Sequence, residues 1–217
     1  MATRDAGTVE AVNVGEPREV QAGDHTVWTA IWKHPVDGRV ALRGVNLDGD
    51  DQADRTVHGG PDKAVYAYDA ADTAWWEAEL GRSLGPGAFG ENLTVAGVPV
   101  SEAVIGERWA VGSTLLEVAQ PRLPCFKLGL RMGDPRFLKR FAQAARPGAY
   151  LRVVREGDIG AGDAVQVLSR PPHGVTSALV SRAILGEPEL LDAAAAAPEL
   201  PGELRAWMLE RAMGRGR

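Results

Sequence analysis

The sequence has few cysteines, few histidines and no long apolar run, and each shortage excludes a class of protein. Cys125 is the one cysteine in 217 residues, so an intramolecular disulfide and any Cys-x-x-Cys zinc or redox pair are excluded. Four histidines (His25, His34, His58 and His173) never fall at HxH or HxxxH spacing, which argues against a structural zinc site. No stretch approaches the roughly 18 apolar residues of a membrane-spanning helix.

The overall charge and composition predict an ordinary globular protein. The formal net charge is −5, and 45% of the residues are hydrophobic and 24% charged, which gives no indication of nucleic-acid binding. The first residues lack the apolar run of a signal peptide, and a single unpaired thiol is typical of a reducing compartment. We therefore expect a cytoplasmic protein that binds neither nucleic acid nor membranes.

Short strands separated by glycine and proline occupy the chain from residue 7 to about residue 171. The runs are β-branched, aromatic or alternating, and the stretch 44–54 between two of them is polar and is expected to lie outside the core. Many short strands with frequent turn signals favour a barrel or sandwich over alternating βαβ units. The predicted strands cover residues 8–14, 27–32, 64–68, 92–95, 108–111, 115–119, 149–154 and 164–168.

Two helices are predicted within the strand-rich region. The first opens at Asp72, carries the pair Trp75-Trp76 and ends with Gly81 as its C-terminal cap. We expect the two tryptophans to pack in the core. The second has Asp134 as its N-cap, followed by a proline in the first turn and an apolar stripe between residues 137 and 145.

Beyond residue 172 the pattern changes to three helices, over residues 175–185, 188–197 and 201–213. Residues 173–217 contain five arginines, no lysine and six acidic residues, so they offer little to the phosphates of a DNA duplex. The sequence thus divides into a strand-rich domain, residues 1–172, and a helical segment, residues 173–217. We expect this segment to serve in docking or homodimer formation; the alternative is simple packing onto the barrel.

The surroundings of Cys125 indicate a functional thiol. Two prolines precede it, and Arg122 and Lys127 flank it. Positive neighbours favour the thiolate, which is the form that attacks electrophiles or binds metals. A catalytic pair with His58 is also open, because such partners meet in space rather than in sequence. The alternative is a buried cysteine that packs as a small hydrophobic residue.

A second candidate segment spans residues 54–64, where Gly59-Gly60 allows a tight turn. Successive amides in such a turn can form an anion-binding nest. Arg55 and Lys63 would add fixed positive charge, and His58 a hydrogen-bond donor or acceptor. The spacing of a phosphate-binding P-loop is missing. The alternative is a glycine turn that carries solvated charges.

A third candidate segment spans residues 87–95 and places polar groups where a strand begins. Gly90 would permit close approach of another group, while Glu91 and Asn92 would face a ligand. A β-bulge or a turn at the start of the strand is the alternative explanation.

Taken together, the three segments resemble the MOSC family, the domain found at the C-terminus of molybdenum cofactor sulfurases. The resemblance is carried, in the family's order, by residues 54–68 with His-Gly-Gly-Pro-Asp-Lys-Ala, residues 89–95 with Phe-Gly-Glu-Asn-Leu, and residues 120–127 around the cysteine. A three-helix segment after the barrel is similar to the stand-alone bacterial YiiM-like type. The resemblance implies a mainly β fold with α, a MOSC-type β-barrel with a few helices.

The resemblance also implies a molybdenum cofactor. Family members ligate its metal through the motif cysteine, here Cys125, and reduce N-hydroxylated compounds. A soft thiolate suits such a centre. Asn92 would then donate to cofactor or substrate, and the other candidates would hold the anionic pterin group. These other candidates are Arg55, His58, Gly59, Gly60, Lys63, Arg122 and Lys127.

The sequence leaves the electron source and two other functions open. It has no cysteines for an iron–sulfur cluster and no GxGxxG fingerprint, so a reductase would need electrons from a separate protein. One alternative is a sulfur carrier that holds a persulfide on Cys125. The other is a module that binds cofactor or partner without catalysis. A simple Cys-His hydrolase is least favoured, because no third orienting residue can be named.

Overall fold

The computed structural model of the chain describes residues 6–51 and 59–214. Within these ranges no helix is long and apolar enough to cross a membrane. The strands are β1 Ala6–Val14, β2 Arg18–Ala22, β3 His25–Thr29, β4 His34–Pro35, β5 Arg39–Arg43, β6 Asn46–Leu47, β7 Val65–Asp69, β8 Leu93–Ala96, β9 Arg108–Val111, β10 Thr114–Gln120, β11 Ala149–Arg155, β12 Gly157–Gly160 and β13 Ala164–Ser169. The α-helices are α1 Ala70–Leu80, α2 Phe126–Met132, α3 Phe137–Ala144, α4 Ser177–Leu185, α5 Leu191–Ala194 and α6 Gly202–Met213.

Seven strands close into a barrel. Their order is β13-β9-β10-β11-β7-β8-β1, and β1 pairs with β13 to complete the ring. All these pairs are antiparallel except β7 with β8, which α1 connects as a crossover because parallel neighbours cannot be joined by a tight hairpin. Closure leaves no open edge among the seven strands. The predicted β-barrel with a few helices is confirmed.

The barrel interior and the three C-terminal helices share one hydrophobic cluster. Trp109, Leu116 and Leu151 from the strands belong to the same cluster as Val180 of α4 and Met208 of α6. The C-terminal helices therefore pack onto the barrel. The boundary at residue 172 and the role of the helices in a homodimer stay predictions.

A second cluster, mostly aromatic, packs α1, α2 and α3 against the barrel. Trp76 of α1 contacts Phe137 of α3 at a ring-centroid distance of 4.8 Å, and Tyr68 stacks on Phe89 at 4.3 Å. Trp76 also donates a hydrogen bond from Nε1 to the Tyr68 hydroxyl (3.0 Å). The prediction that the Trp75-Trp76 pair packs in the core is right for Trp76, which is buried, while Trp75 is half-buried and meets it edge-on. This cluster fixes α2, which follows Cys125.

Both predicted helix starts are wrong. Helix α1 begins at Ala70, because the extended Asp69 caps it by accepting a hydrogen bond from the Ala71 amide. Asp72 instead lies in the first turn, where its carboxylate binds Arg146 and Ser101. Helix α3 begins at Phe137, because Asp134 caps the preceding turn through the Arg136 amide.

Two expectations about the N-terminal third also need correction. The strand predicted over residues 27–32 ends at Thr29, where the Thr29 hydroxyl accepts a hydrogen bond from the Ile31 amide and the chain turns away. The stretch 44–54 was expected outside the core, yet Leu47 is 1% exposed. Its short strand β6 pairs with β5 in a small sheet that covers the barrel. In that position an apolar side chain faces the interior even though its neighbours in sequence are polar.

The packing of α6 onto the barrel can be tested with a matched pair of methionines. Met208 is 0% exposed, whereas Met213 at the end of the same helix is 68% exposed. Met208→Ala should lower the free energy of unfolding by about 2–5 kcal/mol, because it leaves a cavity in the shared cluster. Met213→Ala should change it by less than about 0.5 kcal/mol. Urea denaturation measures both, and equal small effects would show that α6 is not part of the core.

Candidate functional site

Five residues on neighbouring strands form a continuous row at one end of the barrel. Gln120 of β10 pairs with Tyr150 of β11, which pairs with Tyr66 of β7. The amide of Asn92, just before β8, donates to the Tyr66 carbonyl, and the Asn13 amide of β1 donates to the Asn92 carbonyl (both 2.7 Å). Segments that leave the strands near this row therefore meet around one opening.

A pocket opens beside this row. Its cavity volume is about 100 Å³, and the space is about 620 Å³ when the part open to solvent is included. Within the part of the chain that the structure describes, it is lined by four basic side chains and two carboxylates, together with two tyrosines, Asn92, Gly90 and Cys125. The charged residues and tyrosines are Lys33, Lys63, Arg122, Lys127, Asp50, Asp51, Tyr66 and Tyr150. The excess of positive charge suits an anionic ligand.

Cys125 sits where the chain passes from β10 into α2. Its backbone is extended (φ −127°, ψ 162°), and α2 starts at the next residue. The thiol is partly exposed and lines the pocket. A residue at this junction is fixed by the strand on one side and by the aromatic cluster under α2 on the other. Cys125 is therefore neither a buried hydrophobic residue nor a surface residue remote from a cavity.

Arg122 is the most unusual group of the pocket. Its side chain is 5% exposed, and its guanidinium lies 5.5 Å from the Tyr66 ring centroid and 5.8 Å from that of Phe141. Burial disfavours its charge, but the nearby Tyr66, Tyr150 and Cys125 outweigh this and raise the pKa of Arg122. Among the described residues its buried Nη1 has no hydrogen-bond partner. A buried donor of this kind is costly unless something accepts from it.

A second polar group in the pocket, the pair Lys33 and Asp50, was missed from the sequence. Lys33 forms a salt bridge with Asp50, and both side chains are buried. Asp50 also accepts hydrogen bonds from the Gly15 amide and from Asn92 Nδ2, each at 2.8 Å. Burial lowers the pKa of Lys33, and the charge of Asp50 opposes this. The signal was weak, because Lys33 follows an apolar run and Asp50 stands among several acidic residues.

Asn92 itself ties three segments together. Its Oδ1 accepts from the Tyr66 amide (3.1 Å), and its Nδ2 donates to Asp50 and to the Asn13 carbonyl (3.3 Å). Both sides of the amide are thus engaged. In this structure Asn92 positions Asp50 rather than presenting a spare donor to the cavity, and its direct contact with a ligand stays a prediction.

The family model described as MOSC domain matches residues 54–166, more than half of the chain. The chain belongs to the MOSC domain family. The predicted resemblance is confirmed by this match.

Known proteins are similar to this MOSC protein in sequence or structure along most of its length. The uncharacterized protein YflK of Bacillus subtilis is 37% identical over 81% of this chain and 79% of its own. A protein named Reductase from Gibberella moniliformis is 33% identical over 92% of this chain, which spans 36% of that longer protein. The crystal structure of YiiM from Geobacillus stearothermophilus superposes with a TM-score of 0.78, at 29% identity, over 95% of this chain and 99% of that one. The YiiM-like architecture is therefore shown.

The MOSC pocket unites candidates from all three predicted segments. Lys63, Asn92, Arg122, Cys125 and Lys127 all line it, so three stretches distant in sequence meet in space. Arg55 and His58 lie outside the described residues, and their predicted roles stay predictions.

The double-glycine turn stands just before the pocket wall. Gly60 adopts φ 96° and ψ 175°, a conformation that is essentially restricted to glycine, and the short 3-10 turn Pro61–Lys63 follows it. Asp62 anchors this turn, because it accepts a hydrogen bond from Arg152 Nε at 2.8 Å. The turn thereby carries Lys63 into the pocket. Gly59 and Gly60 are not among the lining residues, and their contact with a cofactor stays a prediction.

Gly90 lines the pocket, and the neighbouring Glu91 holds the loop that forms this part of the pocket wall. A Cβ at Gly90 (φ +78°) would lie 2.7 Å from Ile31 Cγ1, which confirms the predicted close approach. The buried Glu91 carboxylate accepts hydrogen bonds from the Gly87 and Phe89 amides at 2.6 and 2.9 Å. Burial raises the pKa of Glu91, and these bonds oppose the rise. Glu91 thus supports the loop and does not line the pocket.

Glu91→Gln should loosen this loop. All three partners of the carboxylate donate to it, namely two amides and the Thr94 hydroxyl, and a glutamine would place an NH₂ group against one of them. We expect a loss of about 1–3 kcal/mol in the free energy of unfolding. The exposed Glu10→Gln is the control and should be neutral. Thermal denaturation measures the difference, and an unchanged Tm for Glu91→Gln would contradict this role.

Proposed function

We propose that the pocket binds the molybdenum cofactor and that the protein reduces N-hydroxylated compounds of the hydroxylaminopurine or amidoxime kind. Membership of the MOSC family and the relative named Reductase support this proposal. The single observation that carries it is Arg122, a buried cation in the pocket that Cys125 also lines, whose Nη1 has no hydrogen-bond partner among the described residues.

The donor set fits an anionic pterin cofactor. A guanidinium can bind phosphate or another oxyanion with two parallel hydrogen bonds, and Arg122 has a donor to spare. Lys63 and Lys127 add positive charge to the same pocket. The predicted ligands Arg55, His58, Gly59, Gly60 and Asn92 remain part of the proposal.

Cys125 is the one protein ligand that the proposal assigns to the metal. The described residues contain no group of three or more His, Cys, Asp and Glu side chains that could hold a metal ion. A metal here would accordingly take one thiolate from the chain and its other ligands from the cofactor. A Cys125 thiolate would face the positive charge of Arg122, and a soft sulfur anion suits a soft metal–sulfur centre.

When bound, the cofactor supplies two-electron reduction, which the side chains cannot perform. The chain's own part is to hold the cofactor through the basic residues and to place the substrate near Cys125. Tyr66 and Tyr150 form an apolar wall next to Arg122, with ring centroids 5.1 Å apart. A flat heteroaromatic substrate would pack favourably on such a surface.

Electrons would come from a separate donor protein, because this sequence carries no cysteines for an iron–sulfur cluster and no GxGxxG fingerprint. We also propose, as the sequence predicts, that the protein is cytoplasmic and forms a homodimer.

Molybdenum and pterin content is the test of this proposal. Protein from a host that makes the cofactor should carry both in near-stoichiometric amounts, and Cys125→Ala should lose the metal. Arg122→Met should lower the retained cofactor by about 10- to 100-fold, as is usual when a supporting contact is removed. Arg136, whose side chain is 90% exposed, supplies the control Arg136→Met, which should retain it.

The outcome also decides between the proposal and its alternatives. No metal in the wild type, together with a persulfide on Cys125 by mass spectrometry, would contradict the reductase and favour a sulfur carrier. A bound cofactor with no turnover of any N-hydroxylated compound would favour a binding module.

A further inference from the structure

The proposed reaction consumes two protons, and the pocket must deliver them. Reduction of R–NH–OH by two electrons breaks the N–O bond; one proton goes to nitrogen and one to oxygen, which gives R–NH₂ and water. The two electrons come from the separate donor protein that the proposed function requires. Hydroxide is a poor leaving group, so a protein acid that protonates the departing oxygen would accelerate the step.

Few of the ionisable groups in the pocket can act as this acid. A guanidinium does not release its proton in proteins, which removes Arg122. Burial raises the pKa of both Tyr66 and Tyr150 and makes them weaker acids. Asp50 accepts three hydrogen bonds, from Lys33, Gly15 and Asn92, and so acts as an acceptor.

Three of the four lysines of the chain line the pocket, and they occupy different parts of its wall. Lys127 lies in α2 two residues after Cys125, and Lys63 in the turn before β7. Lys33 lies just before β4, which pairs with β1. In the closed ring of seven strands β1 is three strands away from β10, through β9 and β13, and Cys125 follows β10. Lys33 and Cys125 therefore line the pocket from different sides, and a substrate bound between them could reach both.

The surroundings of Lys33 fix the position of its ammonium group and lower its pKa, and both effects favour proton donation. Its ammonium is held in place by Asp50, which is itself fixed by Gly15 and Asn92. The other charged groups that act on it are Asp51 and Glu91, and both favour the charged form. Burial outweighs these three carboxylates and lowers the pKa of Lys33, which makes its ammonium a stronger acid than that of an ordinary lysine.

We propose that Lys33, held by Asp50, is the acid that protonates the oxygen that leaves the substrate nitrogen. This inference rests on the proposed function and assigns a catalytic residue within it. Lys33 gives one proton to the departing oxygen and regains one from solvent water before the next turnover. Asp50 is a positioning residue, since it acts through Lys33.

Steady-state reduction of an N-hydroxylated base by the cofactor-loaded protein tests the assignment. Lys33→Met and Lys33→Arg should each lower kcat by about 10²- to 10⁴-fold, because arginine keeps the charge and the contact with Asp50 but cannot release a proton. Lys139→Met, an exposed lysine on α3, is the matched control and should keep the wild-type kcat. Cofactor content is measured for every variant, so that loss of binding is not mistaken for loss of the acid.

The pH dependence separates a proton donor from a mere structural contact. Wild-type kcat should fall as pH rises through the pKa of Lys33, since only the ammonium form can donate. Asp50→Asn removes the charge and the hydrogen bond that raise this pKa, so the alkaline limb should move to lower pH. An Asp50→Asn profile that coincides with the wild-type profile would overturn the assignment.

A measurement on the cofactor-free protein is independent of turnover. With only four lysines in the chain, the ε-carbon NMR signals of ¹³C-labelled lysine can be assigned from the single variants. Lys33 should titrate below the ordinary lysine pKa of about 10.4, and lower still in Asp50→Asn. Titration of Lys33 at or above the ordinary lysine pKa would contradict the inference.

Failure of this inference and failure of the proposed function give different results. An active wild type whose Lys33→Arg variant is equally active overturns the role of Lys33 alone. A loaded wild type that reduces no N-hydroxylated compound overturns both.

Discussion

The site depends on the hydrogen bonds of one amide side chain, that of Asn92. Its Oδ1 accepts from the backbone of β7, and its Nδ2 donates to the backbone of β1 and to Asp50. The parallel pair β7–β8 and the antiparallel pair β1–β8 meet at this residue. Without it, the loop that carries Asp50 would lose one of its hydrogen bonds to the barrel, and Asp50, the partner of Lys33, would keep only the bond from the Gly15 amide to hold it on the barrel.

Around this point the barrel separates two kinds of environment. Its interior is filled by apolar side chains, whereas the pocket at its end is lined by basic residues. The chain as a whole has a net charge of −5, yet four cations and two carboxylates line the pocket. Buried charges are costly unless they are paired. Among the described residues Arg122 Nη1 has no hydrogen-bond partner, which supports the proposal that an anionic ligand completes this site.

Much of the fold could be predicted from the sequence because the barrel strands are short, β-branched and bounded by glycine. Strand β9 agrees with its prediction at both ends, Arg108–Val111, and the Gly81 cap of α1 is left-handed as expected. The errors arose where a specific hydrogen bond or a tertiary contact outweighed the local pattern. The Thr29 hydroxyl ends β3 early by accepting from the Ile31 amide, and the pairing of β6 with β5 buries Leu47 despite its polar neighbours. Helix α2 was missed, because its seven residues are held mainly by the aromatic cluster.

The candidate site was predictable to the extent that its residues belong to motifs. Cys125, Arg122, Lys127, Lys63 and Asn92 stand in the three segments that define the resemblance, and the pocket brings them together. The pair of Lys33 and Asp50 depends on contacts between β1, β4 and β6, which no local pattern reveals.

The central claim is that Cys125 is a sulfur ligand of molybdenum in this pocket, and X-ray absorption at the molybdenum edge tests it directly. The loaded wild type should show one more metal–sulfur contact than the Cys125→Ser variant, whose oxygen would replace it at a shorter distance. Identical sulfur coordination in the two proteins would show that the metal is held without Cys125 and would contradict this account of the site.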